Sequence, residues 1–252
     1  MSMSNALFTY TLRRADDLLI LSQRLGEWCG HGPVLEEDIA LINRTLDHLG
    51  EARNLLTYAG QVEGKGRSED DLAYLRMERE FTNVKLVETP NGNYAHTLVR
   101  SFLFDAYHLP LMQALLESKD EQLAAIAGKA VKEATYHLRH SSEWLIRFGD
   151  GTEESHQRAQ AALDAIWTYT GELFETDAVD AELVKAGIAP DIASIQEAWS
   201  KTVDAVLAEA TLKRPEDGFM ATGGRNGLHT EQMGFLLAEM QHVTRAYPGA
   251  TW

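Results

Sequence analysis

Leu46-Asp47-His48-Leu49-Gly50-Glu51-Ala52-Arg53-Asn54 and Lys132-Glu133-Ala134-Thr135-Tyr136-His137-Leu138-Arg139 decide how this chain is read. Each sets two positions three apart, 48 and 51 in one and 134 and 137 in the other, inside a run whose apolar residues recur at three and four. That is the repeat of one helix face. Two further runs of the same period carry a lone acid: Asp16 among Leu12, Leu19, Ile20 and Gln23, and Asp105 among Leu98, Phe102, Leu109, Met112 and Leu116.

Outward from these stretches the period continues. It predicts helices over about 6–29, 34–62, 93–118, 120–149, 153–186, 191–213 and 227–246. Pro33, Pro90, Pro190, Pro215 and Pro248 fall where helices should break, and Gly30-His31-Gly32, Gly64-Lys65-Gly66, Pro90-Asn91-Gly92 and Gly149-Asp150-Gly151 read as turns. Gly223-Gly224-Arg225-Asn226-Gly227 lacks the Lys-Ser/Thr of a phosphate loop and reads as the turn before the last helix. No period-2 run reads as a strand. The fold class is all-α. Short turns join the first two long helices and the next two, and residues 63–92 make a longer crossover. This fits a ferritin-like four-helix bundle with additional C-terminal helices, in one domain over 1–252 or at most two.

A di-metal site in such a bundle takes a Glu from each of two helices and a Glu-x-x-His from each of the other two. The letters here are Asp16, His48-x-x-Glu51, Asp105 and Ala134-x-x-His137. The pair on the second helix is reversed, and the fourth helix has Ala134 where a carboxylate belongs. Glu133 sits about 100° away around that helix. A degenerate site with no metal is expected. The second helix shows an apolar stripe of Leu35, Ile39, Ile42, Leu46, Leu49 and Leu56, with Arg53 inside it, His48 on its edge and Glu51 beyond. The fourth shows Leu123, Ala127, Ala130, Ala134, Leu138, Ser141 and Leu145, with His137 beside them.

Unpaired carboxylates are costly to bury, so a cation must replace the metal. Arg53 is the expected donor: a buried polar network of Asp16, Arg53, Asp105 and His137, helped by His48, follows from its forked, permanently charged head. His137-x-x-His140 lacks a third ligand and reads as one core and one surface histidine. Cys29 has no activating base nearby and reads as a buried thiol.

Composition narrows the function. With 23 basic and 38 acidic residues the net charge is -15, which excludes a phosphate-binding surface and nucleic acid. One cysteine allows no intrachain disulfide. The start, MSMSNALFTYTLRR, has no signal-peptide core, and no run approaches a membrane span. A cytoplasmic location and no membrane contact are expected.

Several segments then carry a resemblance. Leu21 to Pro33, Leu46 to Asn54, Pro90-Asn-Gly-Asn93, Lys132 to Arg139, Gly227-Leu-His-Thr-Glu231, Leu237-Ala-Glu-Met-Gln241 and Pro248 to Trp252 closely resemble the C subunits of bacterial phenylacetyl-CoA epoxidases. The resemblance implies a non-catalytic, ferritin-like subunit of a ring 1,2-epoxidase in aerobic phenylacetate catabolism. It implies no catalytic residue and no cofactor in this chain. The di-iron site belongs to a homologous catalytic A subunit, and FAD and a 2Fe-2S cluster belong to a reductase. Partners are the A subunit, the other subunits of the complex and the reductase. The alternative is a free-standing ferritin-like di-metal oxidase or iron-binding protein, and a helical adaptor is a third class. For the pairing, an interface of roughly 2,000 Å² or more is expected on the outer faces of the first two helices. Trp28 is its candidate anchor, or else closes the core.

Overall fold

The computed structural model describes residues 2–250. Residues 251 and 252 of the Pro248–Trp252 match lie outside them. The described residues are helical with no strand among them: α1 (Met3–Gly26), α2 (Leu35–Glu63), α3 (Glu69–Tyr74), α4 (Lys85–Glu88), α5 (Tyr94–Leu115), α6 (Glu121–Gly149), α7 (Glu153–Ile166), α8 (Ala178–Ala186), α9 (Ile192–Glu209) and α10 (Glu231–Ala246). Two compact units result. One runs to Pro90 and resumes at Thr222; the other is Asn91–Ala221.

In the first unit α1 and α2 form a hairpin, α3 packs on α2, α4 on α1, and α10 on α3. Ser68 and Asp71 close a capping box on α3, at 2.8 and 3.1 Å. Gln241 and Arg245 of α10 donate to the carbonyls of residues 73–76, including Arg76 O at 3.0 and 2.8 Å. These are the acceptors a short helix leaves open at its C-terminus. α1 is buried continuously from Tyr10 to Ser22, so its charges must be paired inside the protein.

In the second unit α5 and α6 form the hairpin, with α7 and α9 against α5. Asn93 and Asp120 cap the two helices by accepting from His96 N at 3.1 Å and Leu123 N at 2.9 Å. α5 is buried continuously from Thr97 to His108. Trp199 of α9 donates its indole N–H to Leu103 O at 3.0 Å and packs against Trp167 and Phe174.

The structure corrects three sequence expectations here. Helix 153–186 is broken: α7 ends at Ile166, 3-10 turns occupy Trp167–Tyr169 and Gly171–Phe174, and Asp177 caps a new helix, α8. The last helix starts at Glu231 because Gly227 holds φ +71° and stops any helix running through it. Of the stripe expected to bury α2, Leu56 is buried and Ile42 and Leu49 are half-buried, but the N-terminal part faces outward, with Leu35 71%, Ile39 50% and Leu46 59% exposed. The buried side of α2 includes Leu41, Arg44, His48, Glu51, Ala52, Leu55 and Ala59. In the first half of the helix that side carries Glu37, Arg44 and His48, so hydrophobicity points to the wrong face there; beyond Glu51 the buried side is apolar and includes Leu56.

Candidate functional site

Asp16 and Asp17 stand side by side on α1, and each is claimed by its own arginine. Arg76, from the segment after α3, forks onto Asp16: Nη1 donates to Oδ2 at 3.0 Å and Nη2 to Oδ1. Thr82 adds its backbone N–H at 2.8 Å and its hydroxyl at 3.1 Å to the same carboxylate. The Asp16 side chain is wholly buried and that of Arg76 almost so. The guanidinium lies 4.0 Å from the centre of the Phe81 ring, and its remaining donors reach Leu72 O and Glu80 O. A charge buried this way is tolerated because its donors and its partner's oxygens are bonded together.

Arg225 does the same for Asp17, with Nη1 at 2.9 Å and Nη2 at 2.8 Å, while Val84 N–H donates to Asp17 at 2.9 Å. Arg225 also donates to Arg13 O and Thr82 O, at 3.3 and 3.0 Å. Its position comes from the glycine turn: Gly223 and Gly227 hold φ of +106° and +71° on either side of the 3-10 turn Gly224–Asn226. A Cβ on Gly227 would lie 2.2 Å from Arg79 O, so no side chain fits there.

Glu88, at the end of α4, is another fully buried carboxylate of this unit. It accepts from Thr230 N–H at 2.6 Å, Asn83 Nδ2 at 3.1 Å and His229 Nδ1 at 2.9 Å. The other ring nitrogen of His229 faces Phe81 O at 2.9 Å. Both neighbours of the imidazole only accept, so both nitrogens donate when the ring carries its proton. Burial works against that charge, but the bond to Glu88, its negative charge and the Phe81 carbonyl outweigh it and hold the pKa above the ordinary histidine value.

The predicted site residues divide between the units. Asp16, His48 and Glu51 are buried in the first; Asp105, Ala134 and His137 are buried in the second. Asp105 Oδ2 accepts from the Ser141 hydroxyl at 2.7 Å. A carboxylate oxygen of Asp105 and a ring nitrogen of His137 come within 4.8 Å of each other. Arg53 does not join them. Its side chain is 72% exposed and pairs with Glu69 at 3.1 Å. The cation on Asp16 is instead Arg76, with Arg225 beside it on Asp17. Arg53 belongs to the outward α2 stripe, which is why taking that stripe as core draws it inward. Trp28 is half-buried, and Cys29 is exposed, not a buried thiol. Arg76 and Arg225 escape a reading by helix faces because they sit in connecting segments. The signal for them is the Asp16-Asp17 doublet, which needs two cations once it is buried.

This donor set does not fit a two-iron centre. Asp16 is neutralised by a guanidinium and two Thr82 donors, Ala134 offers no ligand atom, and one oxygen of Asp105 is bonded to Ser141.

The chain matches the family described as "Phenylacetic acid catabolic protein" over residues 1–252. It is 52% identical over 248 residues to the C subunit of the 1,2-phenylacetyl-CoA epoxidase of Escherichia coli (strain K12), covering 98% of this chain and 100% of the relative. It is also 22% identical over 142 residues to the A subunit of the same epoxidase from the same organism, covering 56% of this chain and 45% of that one.

Proposed function

The chain belongs to the family of phenylacetic acid catabolic proteins, and from that premise we propose that it is the non-catalytic C-type subunit of a phenylacetyl-CoA 1,2-epoxidase. In this reading it pairs with and stabilises a homologous A-type chain that holds the di-iron centre, and it acts as a single ferritin-like domain in the cytoplasm. No helix among the described residues is long and apolar enough to cross a membrane. The chain itself carries no resident cofactor; the reductase with FAD and 2Fe-2S serves the partner.

The observation that supports this most is Arg76 on Asp16. A position that would ligate iron in a catalytic chain instead accepts from an arginine fork and from Thr82. Such a pair fixes the segment after α3 against α1 and leaves Asp16 no free charge for a cation. Buried charge here serves structure, as suits a chain whose task is to hold a partner. The reading of the chain as a free-standing di-metal oxidase is disfavoured because Ala134 offers no ligand atom and Asp105 is bonded to Ser141, whereas a di-iron centre takes a Glu or a Glu-x-x-His from each of four helices.

The test is iron quantitation on the chain alone and co-expressed with an A-type chain. The lone chain is expected to hold well under one iron after anaerobic ferrous loading and to show no oxygenase activity. The pair is expected to migrate together with its iron in the A-type chain. Two irons in the lone chain, or independent migration of the two chains at micromolar concentration, sinks the proposal.

A further inference from the structure

On α6 the residues opposite the core form one charged face. At 100° per residue Lys129, Lys132, Tyr136, Arg139, Glu143 and Arg147 share about 80° of arc, turned away from the buried Ala127, Ala134, His137, Ser141 and Leu145. All six are exposed. From Lys129 to Arg147 the face runs about 27 Å. It is basic on a chain whose net charge is -15. Arg53, Arg158 and Arg214, exposed elsewhere, each pair with a carboxylate of the chain: Glu69, Glu154 and Asp204. Among the described residues none of the four cations on α6 has such a pair.

The two arginines are held without being neutralised. Arg139 lies over the Tyr136 ring at 5.7 Å and Arg147 over Trp144 at 5.1 Å. Tyr136 also stacks on His140, ring centres 6.0 Å apart. A guanidinium over a ring keeps its charge and its N–H donors, so the face fits carboxylates. A phosphate backbone would meet a chain that repels it elsewhere, and the rings that could stack on bases are already covered. Tyr136 is the one exposed large apolar side chain on α6. A permanent interface needs an apolar centre, so the partner that fits this face is acidic and comes and goes. The acidic remainder of the chain repels such a partner and so orients it onto α6.

We propose that the outward face of α6 is the docking site of the reductase, the component that must arrive and leave as it delivers electrons, and that it is met by an acidic surface of that protein. This rests on the reading of the chain as an epoxidase subunit. Lys132 and Arg139 lie seven positions apart and Arg139 and Arg147 eight, about 10 to 12 Å along the helix. Carboxylates recurring every two turns on a reductase helix meet all three. The face lies on α6 alone, separate from the charged network on α1.

Binding of purified reductase to the wild-type chain, alone and paired with an A-type chain, is read by biolayer interferometry. A micromolar Kd is expected, weakening about tenfold between about 50 and 200 mM NaCl. Lys132→Glu with Arg139→Glu is expected to weaken binding at least about tenfold, with far-UV circular dichroism and pairing with the A-type chain unchanged. Lys201→Glu, on the exposed side of α9, is expected to change nothing. In turnover by the assembled complex the double variant should raise the KM for reductase and leave kcat as it is. Reductase binding indifferent to the double variant or to salt overturns the proposal, as does a single-stranded oligonucleotide held in the reductase's place. Loss of A-type pairing in the double variant also overturns it, since the face is then a subunit contact. A wild-type chain that never co-migrates with an A-type chain sinks the proposed function and this inference with it. Co-migration with charge-indifferent reductase binding sinks this inference alone.

Discussion

Arg76 reaches back across sixty positions to fork the Asp16 carboxylate with both of its terminal nitrogens. One end of the pair is on α1 and the other follows α3, so this contact closes a long loop of chain. Its energetic worth is asymmetric. Forming it offsets a desolvation cost, whereas breaking it strands a charge.

Arg76→Met should therefore destabilise the chain by about 3–5 kcal/mol, because Asp16 is left buried with only Thr82 as donor. Adding Asp16→Asn should recover part of that loss. Arg53→Met, which removes only an exposed pair, should cost less than about 1 kcal/mol. Urea unfolding of the four proteins checks the ordering. Equal losses for Arg76→Met and Arg53→Met would show that the fork carries no special weight.

Two glycines of nearly the same backbone conformation should respond differently to a methyl group. Gly64 holds φ +69° with open space around its Cβ position, and Gly227 holds φ +71° with Arg79 O at 2.2 Å. Gly64→Ala should cost about 1 kcal/mol, from the left-handed conformation alone. Gly227→Ala should cost clearly more, because the turn must shift and carry Arg225 off Asp17. Thermal unfolding of the two variants measures the difference. The crystal structure of Gly227→Ala should show a longer Arg225–Asp17 contact than the present 2.8–2.9 Å.

The long helices are legible in the sequence because their signals are local. The span predicted over 34–62 is Leu35–Glu63, and that over 120–149 is Glu121–Gly149, each bounded by a glycine or a capping side chain that sequence displays. The face of α2 is not legible. Its buried side mixes Arg44, His48 and Glu51 with Leu41, Leu55 and Leu56, and its outer side carries Leu35, Ile39 and Leu46, so in its N-terminal half apolar does not mean inward. Asp16 is recognisable as a carboxylate needing a cation, but a partner sixty positions away has no local signature. The break of 153–186 has one, since Asp177 and Asp180 form a capping box, but the helical period on either side conceals it.

His229 makes stability depend on pH. Its ring bridges Glu88 and Phe81 O through 2.9 Å contacts, and the nearby charges are Glu88 and Glu78, both acidic. Its pKa is raised in the folded chain, whereas in the unfolded chain it returns to about 6.5. Folding thus favours proton uptake. The stabilising contribution is fully present below the unfolded value and is lost as pH rises through the folded one. Above that point one ring nitrogen bears a lone pair facing an acceptor, and the hold on the segment from Thr222 to Thr230 weakens. Hydrogen exchange at Thr230 N–H, which donates to Glu88 at 2.6 Å, should lose protection with rising pH beyond the intrinsic base-catalysed acceleration. In His229→Gln, which can bond on one side only and does not titrate, that excess should vanish and the protection at low pH should already be reduced. A wild-type chain whose stability stays level from pH 6 to pH 10, measured by urea unfolding against His229→Gln, would show that the imidazole holds the same charge in both states.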